Sequence, residues 1–269
     1  MSAKADMFMR MMHREYQSIV VGVEGHVATI TLNRPEKKNA LSGPMVNELI
    51  WAFDDAKDSE VVRAVVLRGA GHTFCAGADL GGMSADDGGF KKKGEFDDLL
   101  LRFDRMHKPI VAAVEGYAMG GAVGLIAAAH FVVASRSAIL ATPEIKRGVF
   151  PMMIMAVMQR VLSQRELLKM ILLGERISAD EALRIGLVTH IADDQEFDAV
   201  LGTLTNALAS QSPTAMSMGL NAYARQRSMP IEDALPFLRE QLAALLGTED
   251  AREGLSAFFQ KREPVWKGR

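Results

Sequence analysis

Three glycines crowd the start of an apolar run, EGYAMGGAVGLIAAA, at residues 115–129, where a helix is expected to begin. Glycine costs roughly 1 kcal/mol against alanine inside a helix, so Gly120, Gly121 and Gly124 weaken the element they open. They follow a buried-strand pattern, PIVAAVEG, and a second junction of the same design lies upstream, where AVVLRG runs into AGHTFCAGADL. A glycine turn lets backbone N–H groups face a ligand with no side chain in the way. A helix N-terminus adds unpaired N–H donors and a partial positive charge. Two such junctions converging on one oxygen make an oxyanion hole, suited to acyl or enolate chemistry. Close packing at a strand–helix turn is the plainer use of such glycines, and the residues alone leave both readings open.

Rival uses of glycine fit less well. A dinucleotide site needs G-x-G-x-x-G after a strand with an acid about twenty residues on. Gly121 and Gly124 fill the last two places and Glu144 has the offset, but Met119 stands at the first, so the tight turn is lost. A phosphate loop needs glycine followed by Lys-Ser or Lys-Thr, which neither junction has. His72, His107 and His130 lack metal-ligand spacing. Cys75 has no base partner in sight and reads as a packed thiol.

The elements that must position these junctions follow from periodicity. SIVVGVEGHVATITLNRP alternates around Gly25 and predicts a hairpin that Pro35 ends. Met45, Leu49, Ala52, Phe53 and Ala56 recur at helical spacing, with Ser42 as cap and Pro44 in the first turn. VRAVVLRG and PIVAAVEG predict buried strands, and HFVVASRSAILATPE two short ones. A helix is expected from Pro151, and another in ISADEALRIG, where Ser178 and Glu181 are spaced as a capping box. LVTHIA is a strand. From about residue 196 the pattern is helical only, through Phe197, Val200, Leu201, Leu204 and Leu208, with Ser212 and Pro213 opening a further helix and Pro230 and Pro236 punctuating the rest. The expectation is an α/β core over 1–195 and a helical region over 196–269.

Composition sets outer limits. The 269 residues carry 31 basic and 33 acidic side chains, a formal charge of -2, which disfavours a nucleic-acid partner. With Cys75 alone, no intrachain disulfide forms, and a reducing compartment is the natural setting. The first residues, MSAKADMFMRMMHREYQ, lack an uninterrupted apolar core, so a secretory signal is not expected. Arg10, Arg14 and the methionines are all that favour a transit peptide, against Asp6 and Glu15. No membrane span is expected, and the chain reads as cytoplasmic.

Six segments, in order, resemble the crotonase, or enoyl-CoA hydratase/isomerase, superfamily. They are VATITLNRPEKKNALS, FCAGADL, KPIVAAVEGYAMGGAVGLIAAAHFVVAS, ILATPEIKRGVFP, LLGERISADEALRIGLV and EGLSAFFQKR. The resemblance implies a spiral of ββα repeats, a helical C-terminal region that assembles homotrimers or hexamers, and an acyl-CoA substrate with no separate cofactor. It implies that the amides of Ala76 and Gly121 hold the thioester oxygen, with Gly77, Ala78 and Gly120 among the residues that bind the substrate and its CoA. For the CoA end it points to Lys37, Lys38 and Asp79, and to Phe258 and Lys261 toward a neighbouring subunit's CoA. Plain surface charge for the lysines and a helix-cap role for Asp79 remain open beside this.

Hydratases of the superfamily use two glutamates. One falls three residues after the oxyanion glycine, where this chain has Gly124; the other is kept as Glu144. Water addition favours two carboxylates, whereas moving a double bond needs one. The resemblance therefore implies isomerisation of 3-enoyl-CoA to 2-enoyl-CoA by Glu144. Hydration with a substitute acid from Asp86, Asp87, Glu95, Asp97 or Asp98 is the alternative, and a non-catalytic acyl-CoA binder a further one. Met152, Met153 and Met155 stand where many relatives have glycine; they fill core space or line an apolar acyl slot.

Overall fold

The structure is a computed structural model that describes residues 14–79 and 92–269. The expected hairpin forms from β1 (Ile19–Glu24) and β2 (Val27–Leu32), paired antiparallel across a turn in which Gly25 takes φ +55. It edges a six-stranded sheet of order β1-β2-β3-β4-β6-β9, with β3 (Ala64–Gly69), β4 (Ile110–Val114), β6 (Phe131–Ser135) and β9 (His190–Ala192). Every pairing after the hairpin in this sheet is parallel. That explains the apolar runs Ala64–Leu67 of β3 and Ile110–Val114 of β4, since a central parallel strand is covered on both faces. A second sheet joins β5 (Tyr117–Met119), β7 (Ile139–Ala141) and β8 (Ile177–Ser178).

Helix α1 (Gly43–Asp58) begins as expected: Ser42 accepts the Met45 N–H, and Pro44 sits in the first turn. Met45, Leu49, Ala52, Phe53 and Ala56 are each at most 1% exposed. Burying a large side chain of this kind stabilises by about 1.5–3 kcal/mol, so this face fixes α1 against the core. The helices α2 (Phe96–Asp104), α3 (Gly121–Ala128), α4 (Met152–Met158), α5 (Gln164–Leu173) and α6 (Ala179–Arg184) follow between strands. Ser178 caps α6 through the Glu181 N–H, but the Glu181 carboxylate binds Arg184 and not the Ser178 amide, so only half of the expected capping box is built.

Past β9 every element is a helix: α7 (Phe197–Ala209), α8 (Pro213–Gln226), α9 (Ile231–Leu246) and α10 (Glu249–Gln260). α7 packs with the core, because Phe197 and Leu201 cover Val66, Val111, Ala113 and Val133 on one sheet face. Pro236, expected as punctuation, lies inside α9 without ending it. Leucine, isoleucine and phenylalanine side chains on α9 and α10 stay exposed, among them Ile231, Leu235, Leu242, Leu246, Phe258 and Phe259.

Candidate active site

The two glycine junctions meet. Cys75 donates its N–H to Tyr117 O at 2.9 Å and accepts from Met119 N at 3.0 Å, which stitches the first turn to β5. From Gly77, a Cβ would come within 2.8 Å of Met119 O, so only glycine permits this approach, and its φ of +95 also demands it. The second junction is not a strand running straight into a helix. β5 intervenes, and α3 starts at Gly121 with Gly120 as its cap at φ +56.

The amides sort themselves by what they already bind. Gly120 N–H donates to Ala141 O at 2.8 Å, while Gly121 N–H, at the first position of α3, has no partner inside the helix. In the first turn the expected donor needs correction. The Ala76 N–H is occupied, donating to Lys38 O at 2.9 Å. Gly77 O and Asp79 N both bond Leu41, so the Ala78 N–H between them faces the opposite side, and nothing among the described residues accepts it. The positive φ of Gly77 breaks the strand alternation that would have pointed Ala76 and Ala78 the same way. Among the described residues the amides of Ala78 and Gly121 are therefore the unpaired ones at the two turns. Leu41 and Phe96 wall the second: a Cβ on Gly121 would lie 3.4 Å from Leu41 Cδ1 and 3.5 Å from Phe96 Cζ.

Glu144 is brought to the same place. It sits in the short 3-10 turn Pro143–Arg147 after β7, and the bond from Gly120 N to Ala141 O ties that strand end to the start of α3. Its Oε1 would be 2.7 Å from a Cβ on Gly120, so the carboxylate rests on the bare glycine Cα. Oε2 is buried with no hydrogen-bond partner among the described residues. Burial lifts the Glu144 carboxyl above the ordinary glutamate value, with its own backbone N–H and Arg147 pulling the other way. A raised carboxyl beside unpaired amides suits proton transfer next to a developing oxyanion.

The other candidates are engaged elsewhere, exposed, or outside the described residues. Glu95 and Asp98 serve the start of α2, where the Glu95 N–H donates to Asp98 Oδ2 at 3.0 Å and Lys92 pairs with Glu95. Asp97 is exposed in the same turn, and Asp86 and Asp87 lie outside the described residues. Cys75 is fully buried, and burial pushes its thiol up to about 12, which removes it as a nucleophile at neutral pH. His130 Nδ1 accepts the Ile110 N–H at 3.0 Å, a packing role. Among the described residues no cluster of potential metal ligands exists. Met152 and Met153 are 65% and 52% exposed, and neither fills the core.

Sequence reasoning missed the residues that hold the first turn. Asn39 is fully buried in a left-handed conformation. Its amide nitrogen donates to Ala70 O and Thr73 O at 2.9 and 2.7 Å, and its oxygen accepts the Arg34 N–H at 2.9 Å. Arg34 in turn binds Asp79 Oδ2 at 3.1 Å, so Asp79 is engaged in an ion pair at the turn. An asparagine amid the charged text RPEKKNA was the available signal, because asparagine tolerates this backbone region. Lys37 and Lys38 stand exposed beside the turn. Phe258 and Lys261 are exposed on and just after α10, which packs against α8 and α9.

Comparison with known proteins now decides the family. Residues 22–269 match the family Enoyl-CoA hydratase/isomerase. The chain belongs to the enoyl-CoA hydratase/isomerase family. A probable enoyl-CoA hydratase of Rhizobium meliloti (strain 1021) is 34% identical over 259 residues, covering 94% of this chain and 99% of that one. A carnitinyl-CoA dehydratase of Salmonella heidelberg (strain SL476) is 34% identical over 262 residues, with the same coverage. Among solved structures, an enoyl-CoA hydratase of Mycobacterium smegmatis superposes with a TM-score of 0.87 at 31% identity, over 93% of this chain and 99% of that one. The crotonase fold expected from the sequence is thus the fold observed, and the protein is an enzyme of this superfamily.

Proposed function

We propose that the protein isomerises 3-enoyl-CoA to 2-enoyl-CoA with Glu144 as its single acid–base group. The Ala78 and Gly121 amides receive the thioester oxygen. Glu144 takes a proton from the α carbon, and the C–H electron pair moves into the enolate held by the amides. The protonated carboxyl then returns that proton to the γ carbon as the double bond shifts to α–β. Charge and atoms balance, and no cofactor beyond the substrate's CoA enters. An oxyanion-hole donor contributes about 3–4 kcal/mol in comparable enzymes, and a positioned acid–base group about 10²–10⁴ in rate.

The observation that carries this reading is the arrangement at α3: a raised carboxyl with a buried, unpartnered oxygen rests on Gly120, beside an unpaired amide at Gly121. Hydration of 2-enoyl-CoA is the second reading, favoured by the names of the relatives. Against it, Glu95 and Asp98 are engaged at the start of α2 with each other and with Lys92, and Asp97 is exposed. Lys37 and Lys38, exposed next to the turn that carries Ala78, are assigned to the CoA phosphates, and Phe258 and Lys261 to a neighbouring subunit's CoA. The exposed apolar residues of α9 and α10 are assigned to a homotrimer interface. Purified protein given 3-enoyl-CoA and 2-enoyl-CoA separately tests the reaction. Conversion of the first, abolished by Glu144→Gln, is expected. Sustained formation of 3-hydroxyacyl-CoA from the second, with no isomerisation, would overturn it.

A further inference from the structure

We infer that Ile154 is a specificity-determining residue, which together with Gly124 fills the room a second carboxylate would need and so holds the site to one-acid chemistry. The inference rests on the isomerase reading above and adds to it. Gly124 is fully enclosed in α3 with ordinary helical φ, so its backbone does not require glycine. A glycine there costs helix stability without a conformational return. What requires it is α4. A Cβ on residue 124 would lie 2.8 Å from Ile154 Cβ and 3.5 Å from Ile154 Cα, with Cγ2 closer still. Ile154 is 3% exposed. Turning its side chain gives no relief, because Cβ and Cα move only with the helix. A longer side chain at 124 therefore requires α4 itself to shift.

Such a shift reaches the base. α4 follows Glu144 by only a few residues, and the Val149 N–H donates to Glu144 O at 3.2 Å, tying the approach to α4 to the catalytic turn. Gly124 lies in α3 four residues after Gly120, the non-helical cap on which the Glu144 carboxylate rests. A carboxylate rooted at 124 would therefore start from the same helix end that the base leans on. Ile154 takes the space where that side chain would start, with a dry, β-branched side chain, stiff at χ1.

The test uses Gly124→Glu, Ile154→Gly and the pair combined, each assayed for isomerisation, for 3-hydroxyacyl-CoA formation and for thermal melting. Ile154→Gly is needed because an alanine would keep the clashing Cβ. Gly124→Glu alone is expected to melt lower and to isomerise more slowly. The double variant is expected to melt higher than Gly124→Glu and to hydrate 2-enoyl-CoA at least about 100-fold faster than wild type. A stable Gly124→Glu single variant that hydrates would overturn the inference, as would a well-folded double variant that hydrates no faster than wild type. Should the double variant not fold, a cycle of Gly124→Ala with Ile154→Gly decides. Gly124→Ala must lower the melting temperature more when Ile154 is intact than in the Ile154→Gly background, and equal effects overturn the proposal. A wild-type enzyme that does not isomerise would sink the isomerase reading, whereas the cycle judges the helix contact with no substrate present.

Discussion

The turn that carries Ala78 and the turn that opens α3 each supply one free amide, but they are held in opposite ways. Hydrogen bonds hold the first. Asn39 ties its approach, Arg34 grips Asp79, and Lys38 and Leu41 occupy neighbouring backbone groups. The second is held by the absence of atoms: Gly120 yields its Cβ space to Glu144, and Gly124 yields its own to Ile154. A turn held by bonds loses stability when a partner is removed. A turn held by bare glycine loses chemistry when an atom is added.

That contrast can be broken at several points. The largest effect is expected from Glu144→Gln, which keeps the shape but cannot take a proton; kcat should fall by about 10²–10⁴ with KM little changed. Steady-state kinetics check this, and a kcat within tenfold of wild type would contradict it. Next comes Gly120→Ala, which places a β-carbon 2.7 Å from Glu144 Oε1 at a φ of +56. Displacing the base by about 1 Å should cost about 100-fold in kcat. Asn39→Ala should act on the other side of the comparison. It leaves the half-buried carbonyls of Ala70 and Thr73 without their donor, at up to about 1–3 kcal/mol for each unsatisfied group, and denaturant titration should register the loss while kcat changes less than for Gly120→Ala.

The smallest effect concerns pH. Burial raises the Glu144 carboxyl in the folded protein. The folded state therefore binds that proton more tightly than the unfolded state does. The resulting stability is present below the unfolded value and is lost as pH rises through the raised folded value. Glu144→Gln should accordingly melt slightly higher than wild type at neutral pH, with the difference shrinking on acidification. Activity should follow the opposite course, rising with pH through the same raised value as the carboxylate forms.

The sequence carried the hairpin at Gly25, the cap and apolar face of α1, the glycine junctions and the switch to helices after β9, because each rests on local periodicity or turn chemistry. β5 and β8 escaped notice, being three and two residues long, too short to alternate legibly. The resemblance implies Ala76 as the first amide, and nothing in the local sequence reveals that Gly77 takes φ +95 and reverses the peptide beyond it. Asn39 and Ile154 were missed for a related reason. Their importance lies in long-range contacts, with Thr73 and with α3, that no window of neighbouring residues contains.

A structure of the protein with a non-reacting acyl-CoA analogue tests the central claim most directly. The account predicts a thioester oxygen about 2.7–3.1 Å from both the Ala78 and the Gly121 nitrogen, with the Glu144 carboxylate beside the α carbon. A thioester oxygen bound elsewhere, or a Glu144 carboxylate turned away from that carbon, would contradict it.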